Sequence, residues 1–104
     1  MDRFVAISEP HRRRMLELLG RGPLAAGSLA GEFDLSAPAV SQHLKVLREA
    51  GLVRVEVDGQ RRIYSLDPAG LAEVDAWIAR VRGDWKGRLD RLEAALAREK
   101  GESS

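Results

Sequence analysis

The stretch that decides the fold runs from Leu24 to Leu52 and reads LAAGSLAGEFDLSAPAVSQHLKVLREAGL. It predicts a short helix over about 25–33, a tight turn at 34–36 and a second, longer helix. Ser36 is the expected N-cap of the second helix, and Pro38 fits in the first turn, where a missing N–H costs little. Gly51 ends that helix. The pattern indicates a helix-turn-helix motif.

The second helix is apolar on one side and polar without acids on the other. The apolar stripe, spaced by four and three residues, consists of Val40, Leu44 and Leu47. About 160° away, at 100° per residue, lie Pro38, Ser41, Gln42 and Lys45. No Asp or Glu occurs from Ser36 to Arg48, so this surface avoids like charge with phosphate. The pattern predicts a recognition helix for the major groove of DNA.

A β-hairpin is predicted directly after the motif. Residues 52–57 alternate apolar and charged side chains, Asp58-Gly59 is a strong turn signal, and residues 61–66 return as the second strand. A hairpin in this place is the wing of a winged helix. If Asp58 and Gly59 form the two-residue turn, Arg61 faces Glu56, and an ion pair is then an alternative to DNA contact.

A long helix is predicted from Asp67-Pro68 onward. Its apolar side chains recur at spacings of three and four residues, at Leu71, Val74, Ile78, Val81, Trp85, Leu89, Leu92 and Leu96. The stripe covers about 30 residues, or roughly 45 Å, which one small domain cannot cover by itself. The same helix of a second copy gives a two-fold dimer. Gly83 and Gly87 flank Trp85 and allow either a close helix approach or a kink.

Composition sets the limits of function. A chain of 104 residues is long enough for one domain with a modest core, and the absence of cysteine excludes disulfides and thiolate metal sites. No apolar run reaches membrane-span length and the first residues lack an apolar signal core, so we expect a cytoplasmic protein. The net charge of +1 does not indicate nucleic-acid binding, so the argument depends on local clusters such as Arg12–Arg14 and Arg61-Arg62.

The sequence contains no pattern typical of catalysis. It has no Ser/His/acid arrangement and no glycine-rich phosphate loop, so we expect no enzyme activity and no cofactor. His11 and His43 lie in different predicted helices without a close carboxylate cluster, and we expect no metal site.

Three segments, 8–19, 35–53 and 58–66, resemble the ArsR (arsenic-repressor) family of bacterial winged-helix regulators. The resemblance covers about residues 1–80 and implies a homodimeric repressor with two recognition helices in successive major grooves. It places base reading on Ala37, Pro38, Ser41 and Gln42, the wing tip on 58–62, and the dimer interface near Phe4 and Ile7 and on the last helix. Residues 23–30 lack the cysteine motif of metal-sensing members, and Asp75 has no His partner on the last helix, as in the cysteine-free branch.

We therefore predict a mainly α fold with a small β-hairpin: a winged helix-turn-helix domain over 1–67, a C-terminal dimerisation helix over 68–100 and a disordered tail over 101–104. The predicted function is a homodimeric, sequence-specific transcriptional repressor on a pseudo-palindromic operator in double-stranded DNA. The predicted phosphate contacts are Arg12, Arg13, Ser36, His43, Lys45, Arg61 and Arg62. The predicted dimer interface comprises Phe4, Ile7, Leu71, Val74, Ile78, Val81, Trp85 and Leu89.

Two alternatives stay open. The first is a dimeric protein-interaction module in which DNA binding is weak or lost. The second keeps DNA binding and adds an organic effector between the subunits, near Trp77 or Trp85.

Overall fold

The computed structural model describes residues 2–102 and contains five helices and three strands in that part of the chain. In order they are α1 (Arg3–Ile7), α2 (Pro10–Leu19), β1 (Leu24–Ala25), α3 (Ala26–Ala30), α4 (Ala37–Glu49), β2 (Val53–Asp58), β3 (Arg61–Leu66) and α5 (Pro68–Glu102). Contacts divide the chain into two compact units, one up to Val74 and one from Asp75. The predicted winged helix-turn-helix with a long last helix is confirmed, although this division lies inside α5 rather than at residue 67.

Side-chain caps fix where α1 and α2 begin. The Asp2 carboxylate accepts the backbone N–H of Phe4 at 2.7 Å before α1. The Glu9 carboxylate accepts that of Arg12 at 2.9 Å before α2, which has Pro10 as its first residue. By contrast α3 has no side-chain cap and is five residues long, shorter than the predicted 25–33.

The core of the first unit lies where α2, α3, α4 and the sheet meet. The predicted stripe of α4, Val40, Leu44 and Leu47, is buried, as are Met15, Leu18, Leu19 and Leu29 of the two preceding helices. Leu52, Val53 and Tyr64 supply the sheet's side of the same cluster. Burial of this stripe leaves the other face of α4 to solvent.

The sheet has three antiparallel strands in the order β1-β3-β2, one more than predicted. The two-residue turn is Gly59-Gln60 rather than Asp58-Gly59, because Asp58 pairs with Arg61 and Glu56 pairs with Ile63. Gly59 has a φ of +63°, which is the left-handed region that a type II′ turn requires at its first central residue. The expectation that Arg61 faces Glu56 is therefore wrong.

The first turns of α5 belong to the first unit. Gly70 is buried against the backbone of Gly51, and Arg3 of α1 forms an ion pair with Glu73. Leu71 and Val74, predicted at the dimer interface, are half-buried against the core of their own subunit, as is Ile7. Because these side chains pack within their own subunit, only part of their surface is available to contact a second copy.

The second unit is the rest of α5, which continues as one helix through Gly83 and Gly87. It includes Gly101 and Glu102, so the predicted tail does not begin at residue 101, while Ser103 and Ser104 lie outside the described residues. Large apolar side chains remain exposed along it: Trp77, Ile78, Val81, Trp85, Leu89, Leu92 and Leu96. Among the described helices, none combines the length and apolar content needed to cross a bilayer.

Candidate nucleic-acid interface

The start of α4 is set by its own sequence. The Ser36 hydroxyl accepts the backbone N–H of Ala39 at 3.3 Å, and Ser36 itself has extended backbone angles. Pro38 lies in the first turn, as predicted. Because this end of the helix is capped locally, the side chains of its first two turns have defined directions.

The outward face of α4 carries the predicted base-reading residues. Ala37, Pro38, Ser41 and Gln42 are all exposed, and so is Lys45 one turn further along. Ser41 and Gln42 offer hydrogen-bonding groups, and a Gln side chain can bind the N6 and N7 edge of adenine. The small apolar side chains of Ala37 and Pro38 allow another surface to approach closely.

Of the two hairpin arginines that were predicted to contact phosphate, one lies on the face of the sheet that is turned toward α4. Alternation along β3 puts Arg62 on the same sheet face as the buried Tyr64, and Arg61 on the opposite face with Asp58. Arg62 and Ser41 line one open groove. Arg62 is therefore better placed than Arg61 to act together with α4.

Two of the predicted phosphate ligands are already used within the fold. Arg12 is half-buried, and its Nε donates to the carbonyl of Ala6 at 2.6 Å. Arg13 donates through Nη1 to the carbonyls of Ile7 at 3.1 Å and Ser8 at 2.8 Å. Both guanidinium groups satisfy carbonyls at the end of α1, which has no basic residue of its own in its last turn. This structural task was not predicted.

His43 also lies in a different setting from the one expected. It is half-buried beside Glu9 and His11 of α2, a group that we call the Glu9–His11–His43 cluster. The Nη1 of Arg12 lies 3.2 Å from Nδ1 of His43. The two histidines, expected in separate helices, are thus brought together beside one carboxylate, because α2 and α4 pack side by side.

The carboxylate of the cluster is ionised. Partial burial raises the pKa of Glu9, but hydrogen bonds from the backbone amide of Arg12, from the His11 ring and from the His11 amide outweigh burial. Together with the electrostatic influence of the nearby His43 they lower the pKa to about 2. Glu9 is thus a fixed negative charge next to the inner side of α4.

A family described as a helix-turn-helix domain matches residues 7–56. The HTH-type transcriptional regulator Rv2034 of Mycobacterium tuberculosis is 54% identical over 67 residues, which are 64% of this chain and 63% of that protein. The chain therefore spans less than two thirds of Rv2034. The transcriptional repressor SdpR of Bacillus subtilis is 39% identical over 75 residues, which are 72% of this chain and 83% of that protein.

Solved structures agree in fold. The crystal structure of a possible transcriptional regulator for arsenical resistance has a TM-score of 0.74 and 45% identity, covering 90% of this chain and 95% of that one. The homodimeric winged helix-turn-helix DNA-binding domain of Mb0332 from Mycobacterium bovis, a possible ArsR-family regulator, has a TM-score of 0.62 and 25% identity, covering 76% and 73%. The chain belongs to the ArsR family of transcriptional regulators. The resemblance inferred from the sequence is thus confirmed.

In this ArsR-family chain, sequence reasoning missed the Glu9–His11–His43 cluster. Glu9 and His11 are two residues apart at the start of α2, but His43 is contributed by α4. The short Glu-x-His spacing before a helix is visible in the sequence, whereas its third member depends on how two helices pack.

Proposed function

We propose that this chain is a homodimeric repressor that binds a pseudo-palindromic operator with α4 in the major groove. The observation that carries the proposal is the exposed, acid-free face of α4, with Arg62 of the hairpin lining the same groove as Ser41. Gln42 and Ser41 read base edges, while Ala37 and Pro38 allow a close apolar approach, for example to a thymine methyl group.

Phosphate binding falls to the exposed cations around this face. Lys45 and Arg62 are the principal contacts, and the exposed Ser36 at the start of α4 and Arg61 at the wing tip are further contacts. Arg12 and Arg13 hold the end of α1 and act on DNA through the position of the helices they brace. His43 is half-buried and contributes in the same indirect way.

A second copy of the chain covers the apolar stripe of α5. Val81 and Trp85 are 48% and 57% exposed in one subunit, and Ile78 and Leu89 continue the stripe in both directions. Burial of such surface contributes about 25 cal/mol per Å², which favours pairing of this helix with its copy. The homodimeric Mb0332 domain supports this arrangement. Phe4, which is 41% exposed in α1, is a further candidate for the interface.

Two-fold symmetry of the protein predicts two-fold symmetry of its operator. Half-sites are expected about one helical turn apart, 10–10.5 bp, or a multiple of it. A regulator of this kind acts where the chromosome is, and we therefore place it in the cytoplasm.

The test is selection of bound sequences from a random duplex pool with the purified chain, followed by affinity measurements. A palindromic consensus is expected, with Gln42→Ala losing discrimination by about 1–3 kcal/mol at one base pair per half-site. Lys45→Ala is the control, because loss of a phosphate contact weakens all sequences alike. Failure to enrich any sequence would favour the protein-interaction module instead, and equal losses of Gln42→Ala on selected and random DNA would remove Gln42 from base reading.

A further inference from the structure

The Glu9–His11–His43 cluster combines a carboxylate and two imidazoles from two helices, and its chemistry is unused by the proposed DNA contacts. One ligand atom from each side chain lies within 4.8 Å of the other two. We propose that this cluster is a binding site for a divalent transition-metal ion of the zinc class, with Glu9, His11 and His43 as its protein ligands.

The spacing of the ligand atoms suits a small tetrahedral ion. Zinc binds His nitrogen and carboxylate oxygen at about 2.0–2.2 Å, so two ligands of a tetrahedral site lie about 3.4 Å apart. Here Oε1 of Glu9 lies 2.7 Å from Nδ1 of His11, and Oε2 lies 3.8 Å from Nδ1 of His43. These two separations belong to different oxygens of Glu9, and the three ligand atoms of the cluster lie within 4.8 Å of one another. Side-chain rotations that bring them to about 3.4 Å complete the site. Two imidazoles and one carboxylate leave the fourth position to water.

Two contacts in the cluster occupy the ligand atoms and would be replaced by an ion. Oε1 of Glu9 lies 2.7 Å from Nδ1 of His11, and Nη1 of Arg12 lies 3.2 Å from Nδ1 of His43. Because metal ligands must be deprotonated, an ion takes the place of the hydrogen between each of these pairs.

The site can be entered without dismantling α2. The His11 side chain is 46% exposed and opens the cluster to solvent. The two carboxylate oxygens of Glu9 have different partners, since Oε1 faces His11 while Oε2 accepts the backbone N–H of Arg12. Ligation through Oε1 leaves the helix cap in place.

Arg12 is the neighbour whose contact with His43 must break before an ion can bind. Its Nη1 contacts His43. Its other two nitrogens contact α1, because Nε donates to the carbonyl of Ala6 at 2.6 Å and Nη2 lies 3.4 Å from the carbonyl oxygen of Val5. Arg12 can therefore release His43 and keep its bonds to α1. A bound ion would tie α2 to α4, the helix proposed to read DNA, and in this respect the inference rests on the proposed function.

The experiment is a zinc titration of the full, tag-free chain against a chromophoric chelator, in the absence of DNA. We expect one equivalent per chain, with His11→Gln and His43→Gln each weakening the affinity at least about tenfold. Glu17→Gln is the matched control, because Glu17 is an exposed glutamate of the same helix outside the cluster. Cobalt in place of zinc should give the intense visible absorption bands of a tetrahedral site. The intensity of these bands should be lower in both histidine variants.

His11→Gln keeps the test informative if His43→Gln unfolds, because His11 is exposed in the first turn of α2. Unchanged zinc affinity in His11→Gln, or no binding at micromolar zinc, would overturn the proposal and leave the cluster as a helix cap. Since no DNA is present, this outcome is independent of the operator selection that tests the proposed function.

Discussion

Substitution of Gly70 by alanine tests how the first turn of α5 packs on the winged domain. A Cβ built on Gly70 would overlap the carbonyl oxygen of Gly51 and would lie 2.8 Å from its carbonyl carbon and 3.2 Å from Nε of Arg3. Backbone atoms cannot rotate away as a flexible side chain can, so either α5 or the end of α4 must shift.

The end of α4 resists that shift. Gly51 has a φ of +73°, and the next backbone N–H, of Leu52, donates to the carbonyl of Leu47 at 3.0 Å. Leu52 is fully buried. Overpacking of this kind costs about 1–3 kcal/mol and occasionally more, while alanine returns at most about 1 kcal/mol of helix propensity. Because the clash is with backbone atoms, the cost lies in the upper half of this range, and we expect Gly70→Ala to lower the free energy of unfolding by about 1–2 kcal/mol.

The matched control is Gly83→Ala in the same helix. Apart from its chain neighbours and the adjacent backbone of its own helix, a Cβ at Gly83 would meet nothing within 4 Å. The position is about 160° from Trp85 at 100° per residue, away from the apolar stripe. Alanine should therefore stabilise the protein by roughly 0.5–1 kcal/mol.

The assay is urea unfolding followed by circular dichroism at one protein concentration, because a dimer's stability depends on concentration. With a slope of about 2 kcal/mol per M, Gly70→Ala should lower the midpoint by about 0.5–1 M and Gly83→Ala should raise it. If Gly70→Ala is as stable as the parent protein, the close packing of α5 on Gly51 is refuted.

Three further predictions concern the wing, the arginine that binds carbonyls at the end of α1, and the apolar stripe of α5. Arg62→Ala should weaken binding to all DNA sequences and reduce the salt slope by about one, whereas Arg54→Ala, on the opposite face of the hairpin, should leave the salt slope unchanged. Arg13→Ala should cost about 1 kcal/mol of stability in urea unfolding, since it removes two bonds to carbonyls at the end of α1. Arg14→Ala loses only an exposed ion pair with Glu17 and should lower the free energy of unfolding by less. Equal losses of stability in the two variants would contradict a stabilising role for the Arg13 hydrogen bonds. Val81→Glu should yield monomers in sedimentation equilibrium, and Ala76→Glu, about 140° away on α5, should not; a dimeric Val81→Glu would exclude the stripe as the interface.

Helix α4 was predictable because everything that defines it is local. Its cap, its proline and its buried stripe all lie between Ser36 and Leu47, and helical periodicity alone assigns Gln42 to the exposed face. The same holds for the two long strands of the hairpin. Their exact register was not predictable, because Asp58-Gly59 and Gly59-Gln60 are both two-residue turns of acceptable composition, and a shift of one residue changes the partner of Arg61.

The role of each basic residue was not predictable, because residue type does not say what a side chain contacts. Arg12, Arg13 and Lys45 were all predicted to bind phosphate, and only Lys45 is exposed without a hydrogen-bonded role among the contacts described. The carbonyls that hold Arg12 and Arg13 come from α1, one short element earlier in the chain. A helix of five residues leaves most of its carbonyls without a partner within the helix. The carbonyls at the end of α1 therefore accept hydrogen bonds from the neighbouring arginines.

His43 shows the same limit over a longer distance. Its contact with Arg12 joins residues 31 positions apart, and no periodicity in the sequence relates the two. Because Nδ1 of His43 can accept the guanidinium or bind a cation but not both, metal occupancy and the contact between Arg12 and α4 exclude each other. Arg12 also holds α1 through Ala6, so an ion in the cluster replaces a link from α1 to α4 by a link from α2 to α4. The inner face of α4 thus carries a polar side chain whose partners come from other helices, and the sequence alone does not reveal them.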